Sequence, residues 1–479
     1  MANDFRNGTI EVGMPQMTLT NIEKVCDGKY YGPEEGKNRE VCGIVTDSRK
    51  VKEGYLFIPI KGERVDGHTF IPNVFAQGAM AVLSEQKLED AAGPYILVDS
   101  SLDAMKKLAA YYRRSLDIKV VGITGSVGKT STKEMIASVL SQKYKVLKTE
   151  GNFNNEIGLP LTIFQIRREH EVAVLEMGIS DFGEMHRLAE MANPDVCVIT
   201  NVGWCHLENL KDRDGILSAK TECFSHMTES GVAILNGDDD KLCTKTIVNG
   251  KTSIFYGIPE KMTGEQPHIE HPDIWAEHVE NRGFEGMSAT IETSKGNFSV
   301  EISIPGEHNV YNALAATAVG LHLGLSLDEI QAGIASAKTI AGRTNFLRLK
   351  DMIVIDDCYN ANPVSMKTSI EVLSHAKGRS VAVLGDMGEL GADEKALHFE
   401  VGTCVGEKKI DALFCAGELA KEYEAAAKQA NPACDVHYFK AREEMTEALL
   451  QFVRPADTIL VKASHFMEFP KVVEALQNM

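Results

Sequence analysis

The middle third of the chain alternates short runs of aliphatic residues with helical patterns. The runs are KVVGI at 119–123, VAVLEM at 172–177, VCVIT at 196–200 and VAILN at 232–236. Continuous Val and Ile runs separated by helices are typical of a parallel sheet that is buried on both faces. The pattern therefore predicts an α/β fold with a parallel sheet at its centre.

The same alternation returns in the last third, where four further apolar runs predict a second parallel sheet in a separate domain. These runs are at 352–357, 381–386, 412–417 and 458–463. We expect this sheet to begin near 341–343. No long linker precedes it, so the boundary near 338–342 predicts a compact hinge about which the C-terminal domain swings as a rigid body.

Two other regions have a different character. Residues 41–98 contain short strand-like runs between glycine-rich turns, followed by an amphipathic helix at 101–116. Residues 251–305 contain alternating, half-exposed strand patterns, which we interpret as an antiparallel edge or an insertion, and an Ala-rich helix follows at 309–324.

Length and charge narrow the class of protein. A chain of 479 residues is long enough for roughly three domains. With 50 Lys and Arg against 68 Asp and Glu, its formal net charge of −18 argues against a nucleic-acid-binding protein. No apolar run approaches the roughly 18 residues of a membrane span, and residues 1–21 lack the pattern of a secretory signal. We therefore expect a cytoplasmic protein without membrane insertion, with its ten cysteines, none in a CxxC pair, as reduced thiols.

The strongest local motif is GITGSVGKTSTKEMI at 122–136, where a strand, a glycine-rich turn and a helix follow one another. This order directs backbone N–H groups and the positive end of a helix dipole at one point, which suits a phosphate group. Lys129 is then expected to bind the β- and γ-phosphates of a nucleotide, and the Thr130 hydroxyl to bind Mg²⁺. The loop, Gly125-x-x-Gly128-Lys129-Thr130, is shorter than the common P-loop. The alternative is a simple turn with a surface lysine.

Three more residues of the central region are candidates for the same site. Glu176 ends one predicted strand and His206 follows the next, so both lie at the carboxyl edge of the sheet, where ligands bind. Both are therefore candidate Mg²⁺ ligands; the alternatives are a helix N-cap acid and a structural histidine. Lys220 lies on a predicted helix, and the residues alone favour a solvated lysine.

Amide-rich segments are candidate contacts for polar ligands. GNFNNEIGLP at 151–160 includes Asn152 and Asn154, which either bind polar substrate groups or form a tight turn. Asn309 and Asn312 lie on one face of the Ala-rich helix, where they either contact a base or ribose or cap the helix.

Further candidates lie around the start of the second sheet. DDCYNANPVSM at 356–366 places two aspartates at a strand end, and Arg343, just before that strand, either contacts a nucleotide or is a plain surface residue. The loose cluster of His268, His271 and His278 is not favoured as a metal site.

Taken together, these motifs resemble the Mur ligase family of peptidoglycan synthesis. The segments TGSVGKT, GNFNNEIGLP, LEMG, TNVGWCHLE, GEHNVYNALAA, AGRTN, DDCYNANPVSM and LGDMGELG occur in this order. The segment at 46–71 is similar to a uridine-nucleotide-binding domain of the family. The resemblance extends from about 44 to 474.

The resemblance implies three domains: a small α/β UDP-sugar-binding domain at 1–90, a central P-loop-like ATPase domain with a parallel sheet at 91–338, and a C-terminal Rossmann-like domain at 339–479. It also implies site residues. The phosphate loop comprises Gly125, Ser126, Val127, Gly128, Lys129, Thr130 and Ser131. The metal ligands are Thr130, Glu176, His206 and Lys220. Lys220 matches a lysine that relatives carbamylate. The catalytic residues are Lys129, Glu176, His206 and Lys220. Nucleotide contacts are Asn309, Asn312, Arg343, Asp357 and Tyr359. Substrate contacts are Ser48, Arg49, Asn152, Asn154, Asn360 and Asn362.

The activity that the resemblance implies is ATP- and Mg²⁺-dependent amide-bond formation through an acyl phosphate. The motifs are most similar to the member that joins D-alanyl-D-alanine to UDP-N-acetylmuramoyl-tripeptide, and we expect a monomer. The alternatives are the enzyme that adds the third peptide residue, folylpolyglutamate synthetase, or a nucleotide-binding switch without ligase chemistry. Two positions depart from the family pattern: His465 stands where an arginine is usual, and Cys358 where a serine is usual.

Overall fold

A computed structural model describes residues 13–62, 65–261 and 266–479 of the chain. Residues 1–12 of the predicted N-terminal domain, and residues 63 and 64 of the segment at 46–71, lie outside the described residues.

The N-terminal part is a small α/β unit. Its elements are α1 (Leu19–Val25), β1 (Lys29–Tyr31), β2 (Gly43–Val45), β3 (Tyr55–Phe57), α2 (Ile71–Ala76), β4 (Ala81–Ser84), β5 (Tyr95–Leu97) and α3 (Ser101–Arg114). The described strands pair in the order β1-β5-β4-β3-β2, and only β1 is antiparallel to its neighbour. The predicted strand runs between 41 and 98 form β2 to β5. Strand β5 lies beyond residue 90, the predicted end of the first domain, so this sheet extends past the predicted boundary.

The central part is larger. Its elements are β6 (Lys119–Thr124), α4 (Lys129–Leu140), β7 (Val146–Lys148), α5 (Gly158–Ile163), β8 (Val172–Glu176), α6 (Glu184–Ala192), β9 (Val196–Ile199), α7 (Leu207–Leu210), α8 (Arg213–Thr221), β10 (Val232–Asn236), β11 (Ile247–Val248), β12 (Lys251–Thr252), β13 (Ile254–Gly257), β14 (Ile274–Asn281), β15 (Met287–Thr293), β16 (Gly296–Ile302), α9 (His308–His322) and α10 (Leu327–Ala335).

The main sheet of this part confirms the prediction from the apolar runs. Within the described chain the order is β16-β15-β14-β13-β10-β9-β6-β8-β7, and all pairs from β14 to β7 are parallel. Strands β14, β15 and β16 pair antiparallel at one end, so the region at 251–305 contributes an edge of the same sheet. Every residue of β8 and β9 is buried, because helices cover both faces.

Two apolar cores lie on opposite faces of this sheet. One is formed by α4, α9 and α10 and includes Ile136 and Leu314. The other contains Leu175 of the sheet together with Met105 and Leu108 of α3, and it continues into the N-terminal sheet at Leu56. The N-terminal and central parts therefore share a continuous core.

The C-terminal part is a second parallel sheet, as predicted. Its elements are β17 (Asn345–Leu349), β18 (Met352–Asp356), α11 (Pro363–Ser374), β19 (Ser380–Gly385), α12 (Glu394–Glu407), β20 (Ala412–Ala416), α13 (Ala420–Ala430), β21 (Asp435–Phe439), α14 (Arg442–Phe452), β22 (Thr458–Lys462) and α15 (Pro470–Gln477). The described order is β17-β18-β22-β19-β20-β21, with β17 antiparallel to β18. The carboxyl ends of both parallel sheets border one cleft.

Candidate active site

The glycine-rich turn between β6 and α4 has the backbone shape that the motif predicts. Gly125 has φ +149° and Gly128 has φ +85°, a region that side chains disfavour. A β-carbon at Gly125 would lie 1.9 Å from Thr200 Oγ1, so this position has no room for a side chain. No side chain caps α4, and the first amide groups of this helix remain available to an anion.

Thr200 and Asn201, which follow β9, hold this turn in place through hydrogen bonds. Asn201 Oδ1 accepts the Val127 N–H at 3.0 Å, and its Nδ2 donates to the Val127 carbonyl at 2.9 Å. The Thr200 hydroxyl donates to the same carbonyl at 2.6 Å. Ser126 donates to the Gly203 carbonyl at 3.0 Å. Sequence reasoning did not single out Thr200 or Asn201, although two polar residues at the end of a buried strand were the available signal.

Glu176 lies beside the phosphate turn, as predicted. It is buried, and its Oε1 accepts hydrogen bonds from Thr130 Oγ1 at 3.2 Å and from Asn154 Nδ2 at 2.8 Å. Its Oε2 is buried without a hydrogen-bond partner, and the nearest ammonium group, of Lys133, is 3.8 Å away. A buried carboxylate oxygen without a donor is costly unless a cation occupies the space beside it. These atoms therefore fit a bound Mg²⁺.

Two lysines of the central part are predicted site residues. Lys129 Nζ donates to the Gly125 carbonyl at 2.9 Å, and burial lowers its pKa while Glu176 opposes the shift. Lys220 is only 1% exposed, so the interpretation from the residues alone, a solvated lysine, is wrong. Burial lowers the pKa of Lys220 to about 8, with a further contribution from the Lys129 charge.

His206 contacts the C-terminal part of the chain. It has a left-handed backbone, φ +51°, and its Nδ1 lies 2.6 Å from Glu389 Oε2. Glu389 also has a left-handed backbone, φ +60°, and the imidazole lowers the pKa of its carboxyl group. The sequence motif LGDMGELG contains Glu389, but nothing in the sequence indicated this contact.

Arg343 directly follows the predicted hinge at 338–342 and lines the cleft. Its Nη2 lies 3.5 Å from Thr130 Oγ1, and its guanidinium carbon lies 3.9 Å from the centre of the Tyr359 ring. Stacking on an aromatic ring leaves the edge of the guanidinium group free to contact an anion. The structure therefore does not support the alternative, a plain surface arginine.

Asp356 and Asp357 connect the hinge to the C-terminal sheet. Asp356 Oδ2 accepts the Gly342 N–H at 2.9 Å, and Asp357 Oδ1 accepts the Thr344 N–H at 3.0 Å. Asp357 Oδ2 accepts from Ser369 Oγ at 2.5 Å and from the buried Lys462 ammonium at 2.7 Å. Both oxygens of the predicted nucleotide contact Asp357 are thus occupied by the protein itself.

Asn309 and Asn312 lie on one face of α9, as their spacing predicts. Asn312 Nδ2 donates to Asn309 Oδ1 at 2.9 Å, and Asn312 Oδ1 accepts from Thr132 of α4 at 2.7 Å. Neither amide caps the helix. Asn309 lines a small pocket between α4 and the hinge, which Ser131 and Arg343 also line.

A large cleft brings most of the predicted residues together. It encloses about 1560 Å³, including its open mouth. The predicted site residues that line it are Ser126, Val127, Gly128, Lys129, Thr130, Asn154, Glu176, His206, Arg343, Tyr359, Asn360 and Asn362. Gly125, Asn152, Lys220, Asp357, Asn309, Asn312 and Ser131 are not part of its lining. No group of three His, Cys, Asp or Glu within the described ranges is arranged to hold a metal, the three histidines at 268–278 included.

Comparison with known proteins decides the family. Three stretches match Mur ligase domains: the Mur ligase family catalytic domain at 40–113, the middle domain at 123–320, and the glutamate ligase domain at 342–465. The UDP-N-acetylmuramoyl-tripeptide–D-alanyl-D-alanine ligase of Bacillus subtilis is 36% identical over 97% of this chain and 99% of its own length. The enzyme of that name from Escherichia coli is 34% identical, with the same coverage. This chain belongs to the Mur ligase family.

Solved structures agree with this assignment. A crystal structure of MurF from Acinetobacter baumannii superposes with a TM-score of 0.86 at 31% identity, covering 98% of this chain and all of that one. The MurF ligase of Thermotoga maritima, solved in complex with ADP, has a TM-score of 0.79 at 32% identity, covering 91% of this chain and 97% of the other. The predicted three-domain α/β fold is that of this family.

In this Mur ligase the predicted uridine-diphosphate contacts lie apart from the large cleft. Ser48 and Arg49 are part of a short helical turn in the N-terminal domain. The Arg49 side chain is exposed and pairs with Asp47, whose carboxyl pKa it lowers to about 2. Both residues stay predictions as substrate contacts.

The two departures from the family pattern have different surroundings. His465 lines the cleft, with its ring centre 6.2 Å from that of Tyr359. Cys358 is buried and its Sγ donates to Asp356 Oδ1 at 2.8 Å, as a serine hydroxyl would. The cysteine therefore replaces serine without loss of that contact.

No helix in the described chain combines the length and the apolar character that crossing a bilayer requires.

Proposed function

We propose that this Mur ligase joins D-alanyl-D-alanine to UDP-N-acetylmuramoyl-tripeptide at the expense of ATP, giving the UDP-muramoyl-pentapeptide used in peptidoglycan synthesis. The observation that carries the proposal is the cleft itself, in which the uncapped start of α4 and Glu176 face residues of the C-terminal domain. The relatives with that name match nearly the whole chain. We place the enzyme in the cytoplasm, where ATP and UDP-linked substrates are found.

The chemistry requires activation of a carboxylate. The γ-phosphoryl group of ATP, a substrate, is transferred to the tripeptide carboxylate, which gives an acyl phosphate and ADP. The amine of D-alanyl-D-alanine then attacks the acyl carbon, loses a proton and displaces phosphate. The first step brings two anions together, so the site has to supply positive charge.

The residues of the phosphate turn supply much of that charge. The free amides at the start of α4 and the ammonium of Lys129 bind the phosphates, and Arg343 faces them from the hinge. The support from Thr200 and Asn201 holds the turn in shape before the nucleotide binds. A pre-formed site avoids the cost of ordering it during the reaction.

Thr130 and Glu176 would hold Mg²⁺ beside the turn, in the place where Glu176 Oε2 lacks a donor. A bound Mg²⁺ offsets the charge of the phosphates and of the attacking carboxylate. His206 and Lys220 complete the predicted ligand set. A pKa of about 8 leaves Lys220 partly neutral near neutral pH, and a neutral amine is the form that adds CO₂ to become a carbamate.

The C-terminal domain closes the other side of the cleft. Asn360, Asn362 and His465 offer hydrogen-bonding groups there, and we assign this side to the acceptor dipeptide. Enclosing the acyl phosphate between two domains excludes water, which would hydrolyse it.

A phosphate-release assay tests the proposal. With ATP, Mg²⁺ and UDP-N-acetylmuramoyl-tripeptide present, phosphate should appear rapidly only when D-alanyl-D-alanine is added. Single amino acids and folate serve as controls for the related ligases. Phosphate release that does not depend on the dipeptide, or that requires a single amino acid instead, would contradict the proposal.

A further inference from the structure

The loop that follows β19, residues 386–390, presents one carboxylate from the C-terminal domain to the cleft. Among the described residues that line the cleft, the carboxylates are Glu176 and Glu389. Glu176 is buried beside the phosphate turn, whereas the Glu389 side chain is 61% exposed. Glu389 is therefore the acid that a ligand entering from the C-terminal side meets.

The loop is fixed by buried groups behind it. His398 of α12 is fully buried; its Nε2 accepts the Met387 N–H at 2.9 Å, and its Nδ1 lies 2.6 Å from the Glu394 carbonyl, to which it donates. Ser464 Oγ accepts the Gly388 N–H at 2.9 Å. These two contacts fix the backbone on the N-terminal side of Glu389, whose own φ of +60° is one that a free glutamate would rarely adopt.

A residue held in such a conformation at a cleft suggests a functional constraint. One oxygen of Glu389 lies 2.6 Å from His206, and no hydrogen bond within the described chain involves the other, Oε1. An acceptor dipeptide enters with an ammonium group, because the α-amino group of a peptide is largely protonated at neutral pH. A free carboxylate oxygen is the natural partner for that cation.

On the basis of the proposed function, we propose that Glu389 binds the α-ammonium group of the acceptor dipeptide and orients its nitrogen toward the acyl phosphate. The ammonium group releases one proton to solvent before its nitrogen attacks the acyl carbon. The nearby amides and His465 would then face the remainder of the dipeptide. Glu389 is thus a specificity residue for acceptors that carry a free amino group. His398 is a positioning residue, which acts through the loop.

The test separates the two halves of the reaction. Acyl phosphate formation is measured without dipeptide, by trapping with hydroxylamine, and amide formation is measured against dipeptide concentration. For Glu389→Gln we expect a KM for D-alanyl-D-alanine about ten- to a hundredfold higher, the effect of losing one hydrogen bond to a charged group. The trapping rate and the KM for ATP should change less than threefold.

The matched control removes one carboxylate charge from another glutamate of the C-terminal domain. Glu400→Gln, on the outer face of α12 in a surface ion pair with Lys367, should leave every parameter unchanged. His398→Leu should raise the dipeptide KM as Glu389→Gln does, and His398→Gln, which can both donate and accept, should recover part of the loss. Circular dichroism establishes that each variant is folded.

Each outcome decides the inference. An unchanged dipeptide KM in Glu389→Gln overturns it. A trapping rate that falls as much as amide formation also overturns it, because Glu389 would then act on the ATP side through His206. If the wild-type enzyme itself shows no dipeptide-dependent phosphate release, the proposed function has failed, and that result is distinct from either of these.

Discussion

The buried ion pair between Asp357 and Lys462 in the C-terminal domain allows a sharp prediction, because two roles for Asp357 lead to different results. The family resemblance predicts a nucleotide contact, whereas the structure shows both carboxylate oxygens bonded to Thr344, Ser369 and Lys462. The side chains of Asp357 and Lys462 are only 9% and 3% exposed. Asp357→Asn would therefore leave a buried ammonium group without its counter-charge.

The magnitude follows from that burial. Removing one partner of a buried ion pair costs about 3–5 kcal/mol. For a domain of this size, that loss lowers the unfolding midpoint by on the order of 10 °C. The double variant Asp357→Asn with Lys462→Met removes the stranded charge as well, so it should recover more than half of the loss.

The assay combines thermal unfolding without ligand and ADP binding by calorimetry well below the midpoint. Asp351→Asn, an exposed acid at the turn before β18, is the control and should shift neither. We expect Asp357→Asn to unfold earlier and to bind ADP nearly normally while folded. A variant with an unchanged midpoint and a lost ADP affinity would refute the structural role and favour the nucleotide contact.

Three further predictions concern the phosphate side of the cleft. Lys129→Ala should remain folded and lose about 10²–10³ in the rate of acyl phosphate formation, measured by hydroxylamine trapping, because one charge contact to the transferred group is gone; near-normal ATP consumption would refute this. Asn201→Ala should raise the KM for ATP about tenfold, because the Val127 N–H loses its acceptor; an unchanged KM would argue against a supporting role. Lys220 has a pKa of about 8 in the folded protein and above 10 in the unfolded chain. Below pH 8 the folded protein must bury the charged ammonium group, which lowers its stability, and the free energy of unfolding rises between about pH 8 and 10. Lys220→Met should abolish that rise and stabilise the protein at pH 7 by up to about 3 kcal/mol while activity falls, as urea titrations at several pH values would show.

The parts of the fold that the sequence predicted well are those where burial alone determines the pattern. Strands β6, β8, β9 and β10 lie inside the central sheet and consist mostly of Val, Ile, Leu and Ala. The short edge strand β7 was not predicted, because its residues are half-buried and carry no clear period. The outer strand β21 was missed for the same reason.

The site residues also divide into those that a local motif predicted and those that no local motif predicted. Lys129, Thr130 and Glu176 were predictable because each lies at or just beyond the carboxyl end of a strand within its own motif. The burial of Lys220 was not, since it depends on which face of α8 packs against the neighbouring helices, and a short helix with mixed residues does not determine that. The contact of Glu389 with His206 joins two domains, and no local pattern in either segment encodes a partner in the other.

The contacts across the cleft also explain how such a site can open. Between the central and C-terminal domains they include Arg343 with Thr130, His206 with Glu389, and Phe284 against Phe346, at a ring distance of 5.2 Å. Most are polar or at the surface, and an interface of this kind stabilises closure only weakly. Substrates that bind both domains, as a nucleotide at the phosphate turn and a dipeptide at Glu389 would do, therefore add a large part of the free energy that holds the domains together. We therefore expect closure to be coupled to occupancy, so that the labile acyl phosphate forms only when the cleft is shut.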